Sequence, residues 1–216
     1  MGRMKRLRLS REESREQTQQ RLLAAAQSVI ARKGLAATSV EDIAAAAGYT
    51  RGAFYSNFRS KGDLFIELLR RDHRQAHDKM SEILTADLQP EQLEQRVGQM
   101  YSQLYRSNDG FMNWTEARML AARDARFRGK LNALMMEKRD AIAAFIDQFN
   151  QRLGLPALTP PGLLALGFMS LVEGVKLLRL SSPQEMTDES AETVLMLFID
   201  AVIQLARLRA TGRRSP

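Results

Sequence analysis

Thr38-Ser-Val-Glu-Asp-Ile-Ala-Ala-Ala-Ala-Gly48-Tyr-Thr50-Arg-Gly-Ala-Phe-Tyr-Ser-Asn-Phe-Arg-Ser60-Lys-Gly-Asp-Leu64 is the stretch that decides how this chain folds. Ser39 followed three residues later by Asp42 reads as a helix N-cap with an acid at N3, opening a helix from Val40 to about Ala47 that Gly48 breaks. Thr50 is placed to cap a third helix. Ser60-Lys-Gly-Asp63 repeats the pattern and opens a fourth, running through Leu68 toward Leu84. Two short helices meeting at a glycine turn form a helix-turn-helix, in which the second helix enters a major groove and the first crosses the backbone. Val40, Ile43, Phe54 and Phe58 are its apolar anchors, and Ala44, Ala45, Ala46, Ala47 and Gly52 are small enough to let the helices approach closely. Upstream, Leu22, Ala26, Val29 and Ile30 form one stripe of an amphipathic helix from about Arg11 to Lys33, which Gly34 stops.

What the third helix leaves for an outside partner is small and polar. Thr50, Arg51, Tyr55 and Ser56 can donate hydrogen bonds, Asn57 can donate or accept, and Gly52 lies among them; Arg51 suits a guanine edge. Thr38, Ser39 and Lys61 stand at helix starts, where N-termini meet phosphates. The charge distribution points the same way. The 216 residues carry a net charge of +7, and residues 1–62 hold all of it, with 12 Lys+Arg against 5 Asp+Glu, while residues 63–216 hold 20 of each. Arg3, Lys5, Arg6, Arg8 and Arg11 precede the first acid, Glu12. A basic arm of this kind follows phosphates or enters a minor groove, and makes binding steeply salt-dependent.

Other classes of function find less support. The chain has no cysteine, which excludes a disulfide scaffold, a thiolate metal site and a cysteine nucleophile, and is compatible with a cytoplasmic location. The basic N-terminus has no apolar core of a secretory signal. The longest uncharged run, Leu153 to Val172, contains Pro156, Pro160 and Pro161 and is a poor membrane span. Apart from Leu7 and Leu9 the arm lacks the apolar residues of an interfacial helix. With no glycine-rich phosphate loop and only two histidines, no catalytic constellation is visible. His73 and His77 lie four apart beside Asp72 and Asp78, but without a third strong ligand no metal site is assigned, and no cofactor is expected.

Strand patterns are almost absent, with no β-branched or aromatic alternation bounded by hairpin turns, so the reading is all-α. Pro90, the Ser107 to Gly110 turn, Gly129, the Gly154 to Pro161 segment and Ser181-Ser-Pro183 divide the remainder into helices of bundle length, with Thr159 and Pro160 as an N-cap and N1 pair. The last two, about 160–180 and 188–209, are apolar nearly all round, from Leu163 through Leu177 and from Val194 through Leu205. Such helices must be covered on two sides, by the bundle itself or by a second subunit.

At these residues the chain resembles the TetR family of bacterial transcriptional repressors. The resemblance spans about residues 17–68 and rests on Arg21-Leu-Leu with Ala25-Ala26, Gly34, Thr38, Ile43-Ala44, Ala47-Gly48, Thr50, Gly52-Ala53-Phe54-Tyr55, Phe58 and Ser60-Lys61. Tyr49 and Asn57 depart from it: a small aliphatic residue is usual at the first, and His or Tyr at the second. The resemblance implies a basic arm over 1–16, a three-helix DNA-binding domain over 17–64 and a larger helical bundle over 65–216. That bundle would bind a small-molecule effector and dimerise through 160–180 and 188–209. The implied partners are a palindromic double-stranded operator and a second copy of the chain. For the effector, the residues favour an apolar or aromatic compound: Tyr101, Phe111, Trp114, Glu116, Arg118, Phe145, Met169 and Glu173 are the candidate contacts, Glu173 because a carboxylate on a mostly apolar helix usually has a partner.

Overall fold

The computed structural model of the chain describes residues 10–103 and 110–212. These residues form nine helices and no strand: α1 (Arg11–Ala37), α2 (Val40–Ala46), α3 (Arg51–Asn57), α4 (Lys61–Thr85), α5 (Pro90–Gln103), α6 (Phe111–Arg123), α7 (Ala125–Leu153), α8 (Pro161–Ser181) and α9 (Asp188–Gly212). Local chemistry sets the first boundaries. Ser10 accepts the Glu13 amide at 3.1 Å and donates its own amide to the Glu13 carboxylate at 2.7 Å, so α1 starts at Arg11. This is where the apolar stripe places the start of the first helix, so residues 11–16 are helical although the expected arm extends over them; Arg3, Lys5, Arg6 and Arg8 lie outside the described residues. Gly34 breaks α1 with φ 78° and ψ 161°, a backbone state that costs glycine little. Gly48, with φ 74°, ends the second helix as its position suggests.

Two boundaries differ from expectation. Gly129 does not divide helices: α7 passes through it, and the break falls at Asp124, whose carboxylate accepts the amides of Arg126 at 2.8 Å and Phe127 at 3.0 Å. A capping carboxylate starts a helix more strongly than one internal glycine stops it. The α8 N-cap position is held by Pro160 without a side-chain cap, and the helix starts at Pro161, one residue beyond the expected Thr159 and Pro160 pair.

The described residues divide into two compact units, 10–71 with 112–131, and 72–103 with 110–111 and 132–212. In the first, Leu22, Ile43, Phe54, Leu64, Phe65, Leu68 and Leu69 are fully buried, and α1, α2 and α3 pack on one another. Residues 112–131, which the sequence reading places in the second domain, belong to this core. Phe127 stacks on Phe65 with centroids 6.1 Å apart, and the Lys130 ammonium pairs with Asp63.

In the second unit α5 and α8 pack on α9, around Leu93, Val97, Tyr101, Phe145, Phe149, Val175, Leu195, Ile199 and Ile203. Arg152 donates to the carbonyls of Leu84 and Leu88 at 2.8 Å and of Ala86 at 3.1 Å. A C-terminal helix turn leaves such acceptors unmatched, and one guanidinium serves the end of α4 and its loop together. The outer faces of α8 and α9 are different. Leu163, Leu166, Leu177, Leu178 and Leu180 on α8, with Val194, Leu197, Leu205 and Leu208 on α9, stand exposed, Leu197 by 68%. In the single chain these helices are thus covered on one side only. Among the described residues no helix is long and apolar enough to cross a membrane.

Candidate nucleic-acid interface

The helix-turn-helix is made of α2, the Gly48 turn and α3. At its start Ser39 accepts the Asp42 amide at 3.1 Å and the Asp42 carboxylate accepts the Ser39 amide at 2.8 Å. Lys33 donates to the same carboxylate at 2.5 Å, and this bond, ahead of those from Ser39, holds Asp42 well below the usual carboxylate range. Thr50 caps α3 by accepting the Ala53 amide at 3.2 Å. Phe54 and Phe58 turn inward, with rings 5.8 Å apart.

The outward side of α3 carries Arg51, Gly52, Tyr55 and Ser56, all exposed, with Thr50 and Ser39 exposed beside the two helix starts. Arg51 pairs with Glu41 at 2.8 Å and lies 5.5 Å over the Tyr55 ring. Both partners are exposed, so these contacts add little stability but hold the guanidinium above the surface. Gly52 does not serve helix packing as the sequence reading supposed: a Cβ there would meet only Thr50 Oγ1, at 3.7 Å. Its bareness leaves the outer face low instead. Ala45 and Ala46 are likewise exposed, and of the four alanines only Ala44 is buried.

Three of the nine residues picked out for DNA contact are turned into the fold. Thr38 is 2% exposed and donates to the Gly34 carbonyl at 2.7 Å. Asn57 is half-buried and spends its amide on the Ala53 carbonyl at 2.8 Å, while its Oδ1 is buried with no hydrogen-bond partner. Lys61 donates to the carbonyls of Leu35 at 2.8 Å and Thr38 at 2.7 Å; burial lowers its pKa, against the opposing pull of the Glu116 carboxylate. Lys61→Met takes the ammonium from both carbonyls, leaving that of Leu35 with only the Thr38 amide at 3.2 Å, and is expected to lower the stability of this unit by about 2 kcal/mol, whereas Arg51→Ala should leave it within about 0.5 kcal/mol. Thermal melts followed by circular dichroism check both.

The eight effector candidates do not fall in one unit. Trp114, Glu116 and Arg118 belong to the first; Tyr101, Phe111, Phe145, Met169 and Glu173 belong to the second. Glu116 accepts the Leu35 amide at 2.5 Å, a bond that no sequence spacing announces. Within the second unit Tyr101 and Phe145 share the core. Tyr101 sits edge-on to Phe168 at 5.1 Å, its hydroxyl buried with no hydrogen-bond partner and its pKa raised by that burial. Lys176 lies 5.6 Å over the Phe111 ring, and burial first, with Lys138 second, pushes its ammonium down to about 8, against the pull of Glu173. His73 and His77 stand with ring centroids 6.4 Å apart, and among the described residues no cluster of three or more His, Asp and Glu is gathered.

A model of the bacterial regulatory proteins of the tetR family matches residues 22–68. This segment belongs to the tetR family. It covers α1 from Leu22 onward, α2, α3 and the first turns of α4, and so contains the helix-turn-helix. Over 53 residues the chain is 43% identical to the HTH-type transcriptional regulator AcrR of Shigella flexneri, spanning 24% of this chain and 25% of that one. Over 75 residues it is 37% identical to TtgR of Pseudomonas putida, at 35% of each. The matches thus span between a quarter and about a third of those relatives' length. The transcriptional regulator FadR of Bacillus subtilis, solved with stearoyl-CoA, superposes with a TM-score of 0.64 at 17% identity, over 85% of this chain and 98% of that one. At that identity the likeness is one of fold, and it extends the resemblance beyond the tetR-family segment.

Proposed function

We propose that the protein is a sequence-specific DNA-binding transcriptional regulator, a homodimeric repressor that leaves a palindromic operator when a small, largely apolar effector binds. The observation that carries the reading is the outer side of α3: Arg51, Tyr55 and Ser56 stand out around a bare Gly52, on a helix whose Phe54 is fully buried. A rigid short helix with polar side chains on an unobstructed face fits a major groove. The net +7 carried by residues 1–62 supplies the phosphate-seeking charge.

The exposed leucines of α8 and α9 support dimerisation. Two such faces brought together by a two-fold axis bury each other, and each leucine removed from water contributes about 2 kcal/mol. Two copies of α3 would then address half-sites about 34 Å apart or a multiple of it. For the effector, the aromatic core around Tyr101 and Phe145, with Phe111, Met169 and Glu173 in the same unit, supports an apolar ligand with a polar end; FadR, bound to stearoyl-CoA, is an example on this fold. Effector binding weakens DNA affinity by the difference in its affinity for the two conformations. The same arrangement serves an activator, which a reporter gene separates from a repressor, or a DNA-binding protein without effector, which lack of response to added ligand identifies.

Selection of duplexes from a randomised pool, followed by gel shifts at physiological salt, tests the reading. A palindromic consensus bound about a thousandfold more tightly than bulk DNA is expected. Binding of all duplexes alike would sink it. Arg51→Ala should cost about 1–3 kcal/mol at one base position of each half-site and leave the salt slope nearly unchanged.

A further inference from the structure

The turn between α1 and α2 is held from outside by two side chains far from it in sequence. Gly34 breaks α1, and Leu35, Ala36 and Ala37 lead to the buried Thr38 and to Ser39, the cap of α2. The Leu35 amide donates to Glu116 Oε2 at 2.5 Å. The Leu35 carbonyl accepts from Lys61 at 2.8 Å and from the Thr38 amide at 3.2 Å. The Thr38 carbonyl accepts Lys61 at 2.7 Å, and the Thr38 hydroxyl reaches back to Gly34 at 2.7 Å. The backbone amide and carbonyl of both Leu35 and Thr38 are thereby engaged. Four of the five bonds come from within or next to the helix-turn-helix. The fifth comes from α6, 81 residues away in sequence.

Resting on the reading that α2 and α3 contact DNA, we propose that Glu116 is a positioning residue for operator recognition: its carboxylate, bonded to the Leu35 amide, fixes the turn from which α2 starts. A carboxylate bonded to a backbone amide in a partly buried place is a strong, charge-assisted contact. Its neighbour Gly34 makes room for it: a Cβ at that position would stand 3.1 Å from Glu116 Oε1. Two further contacts set the start of α7 against the same unit, Phe127 on Phe65 and Lys130 on Asp63, and Arg128 ties it back to α6 by donating to the Ala121 carbonyl at 3.2 Å. Glu116 therefore reaches the turn from a fixed base. A group that holds the reading helices in register without touching DNA acts on specific binding, where geometry matters, far more than on non-specific binding, where charge dominates.

The experiment uses the full chain and a duplex selected by the wild-type protein. Glu116→Ala is expected to weaken binding to that duplex at least about tenfold, with affinity for bulk DNA and the salt slope within twofold of wild type. Glu116→Gln keeps an acceptor for the Leu35 amide and should recover most of the affinity, to within about threefold. Hydrogen exchange at the Leu35 amide should quicken in the alanine variant and stay slow in the glutamine variant, with no DNA present. Should the alanine variant not fold, Glu116→Asp, one methylene too short to reach, carries the same tenfold expectation. Selected-duplex affinity unchanged in the alanine or aspartate variant would overturn the inference alone, as would a glutamine variant no better than alanine. A wild-type chain with no preferred duplex would overturn the DNA-binding reading and this inference with it.

Discussion

A chain carrying Leu197→Asp and Leu205→Asp should sediment as a single 24.4 kDa chain while the wild type sediments as two, and its operator affinity should fall by several orders of magnitude. Both leucines are exposed in the single chain, by 68% and 56%, so aspartate there costs the isolated fold little, and helix content should be preserved. In a two-fold dimer each substitution appears twice. Four carboxylates would then face apolar partners at several kcal/mol each, more than an interface of this kind has to spare. In the proposed dimer each α3 would read one half-site, so the loss of DNA affinity follows from geometry: joining two halves multiplies affinity through effective concentration. Sedimentation velocity and gel shifts on the same samples check both parts. A double variant that remains a dimer would move the subunit interface off α8 and α9.

Phe54→Ala should destabilise the N-terminal unit by about 3–5 kcal/mol and abolish selective DNA binding. The ring is fully buried, edge-on to Tyr55 at 5.4 Å and 5.8 Å from Phe58. It lies in the middle of a seven-residue helix. A helix of two turns does not hold itself together in water, so α3 depends on this anchor for its existence as well as its place. Tyr55→Ala, next door but 46% exposed, is the control and should cost about 1 kcal/mol or less in stability. Denaturant titration gives both values; equal costs for the two would mean that α3 is not anchored through Phe54.

How much of this was legible in the sequence depended on the range of the interactions. The starts of α1, α2 and α3 are written in bonds spanning three residues, those of Ser10, Ser39 and Thr50, and the stops at Gly34 and Gly48 in single backbone angles; local patterns of this kind can be read one segment at a time. The start of α7 was equally local, but Asp124 was hidden by the more conspicuous Gly129. The site residues were harder. Thr38, Asn57 and Lys61 have the chemistry to meet a phosphate, and the same chemistry to satisfy a carbonyl of their own chain. Only the direction of each side chain separates the two uses, and periodicity does not give that direction for residues at a helix edge. Glu116 stands in sequence beside Trp114 and Arg118, which suggests a ligand contact; its partner, Leu35, lies too far along the chain for any spacing to suggest it. The exposed stripe of α8 and α9 was visible as excess apolarity, though which side would remain bare required the packing of α5 on α9.

The break in α1 bears on how freely this chain can drift in sequence. Position 34 is closed to other residues by two unrelated objections: a backbone at φ 78° that side chains resist, and a carboxylate oxygen 3.1 Å from where a Cβ would stand. A change in α6 that opened space would answer only the second, and a shift of the turn that relaxed the backbone would carry Leu35 away from Glu116. No single compensating substitution answers both. The glycine is therefore a fixed point about which the helices on either side can exchange residues one at a time, while it cannot.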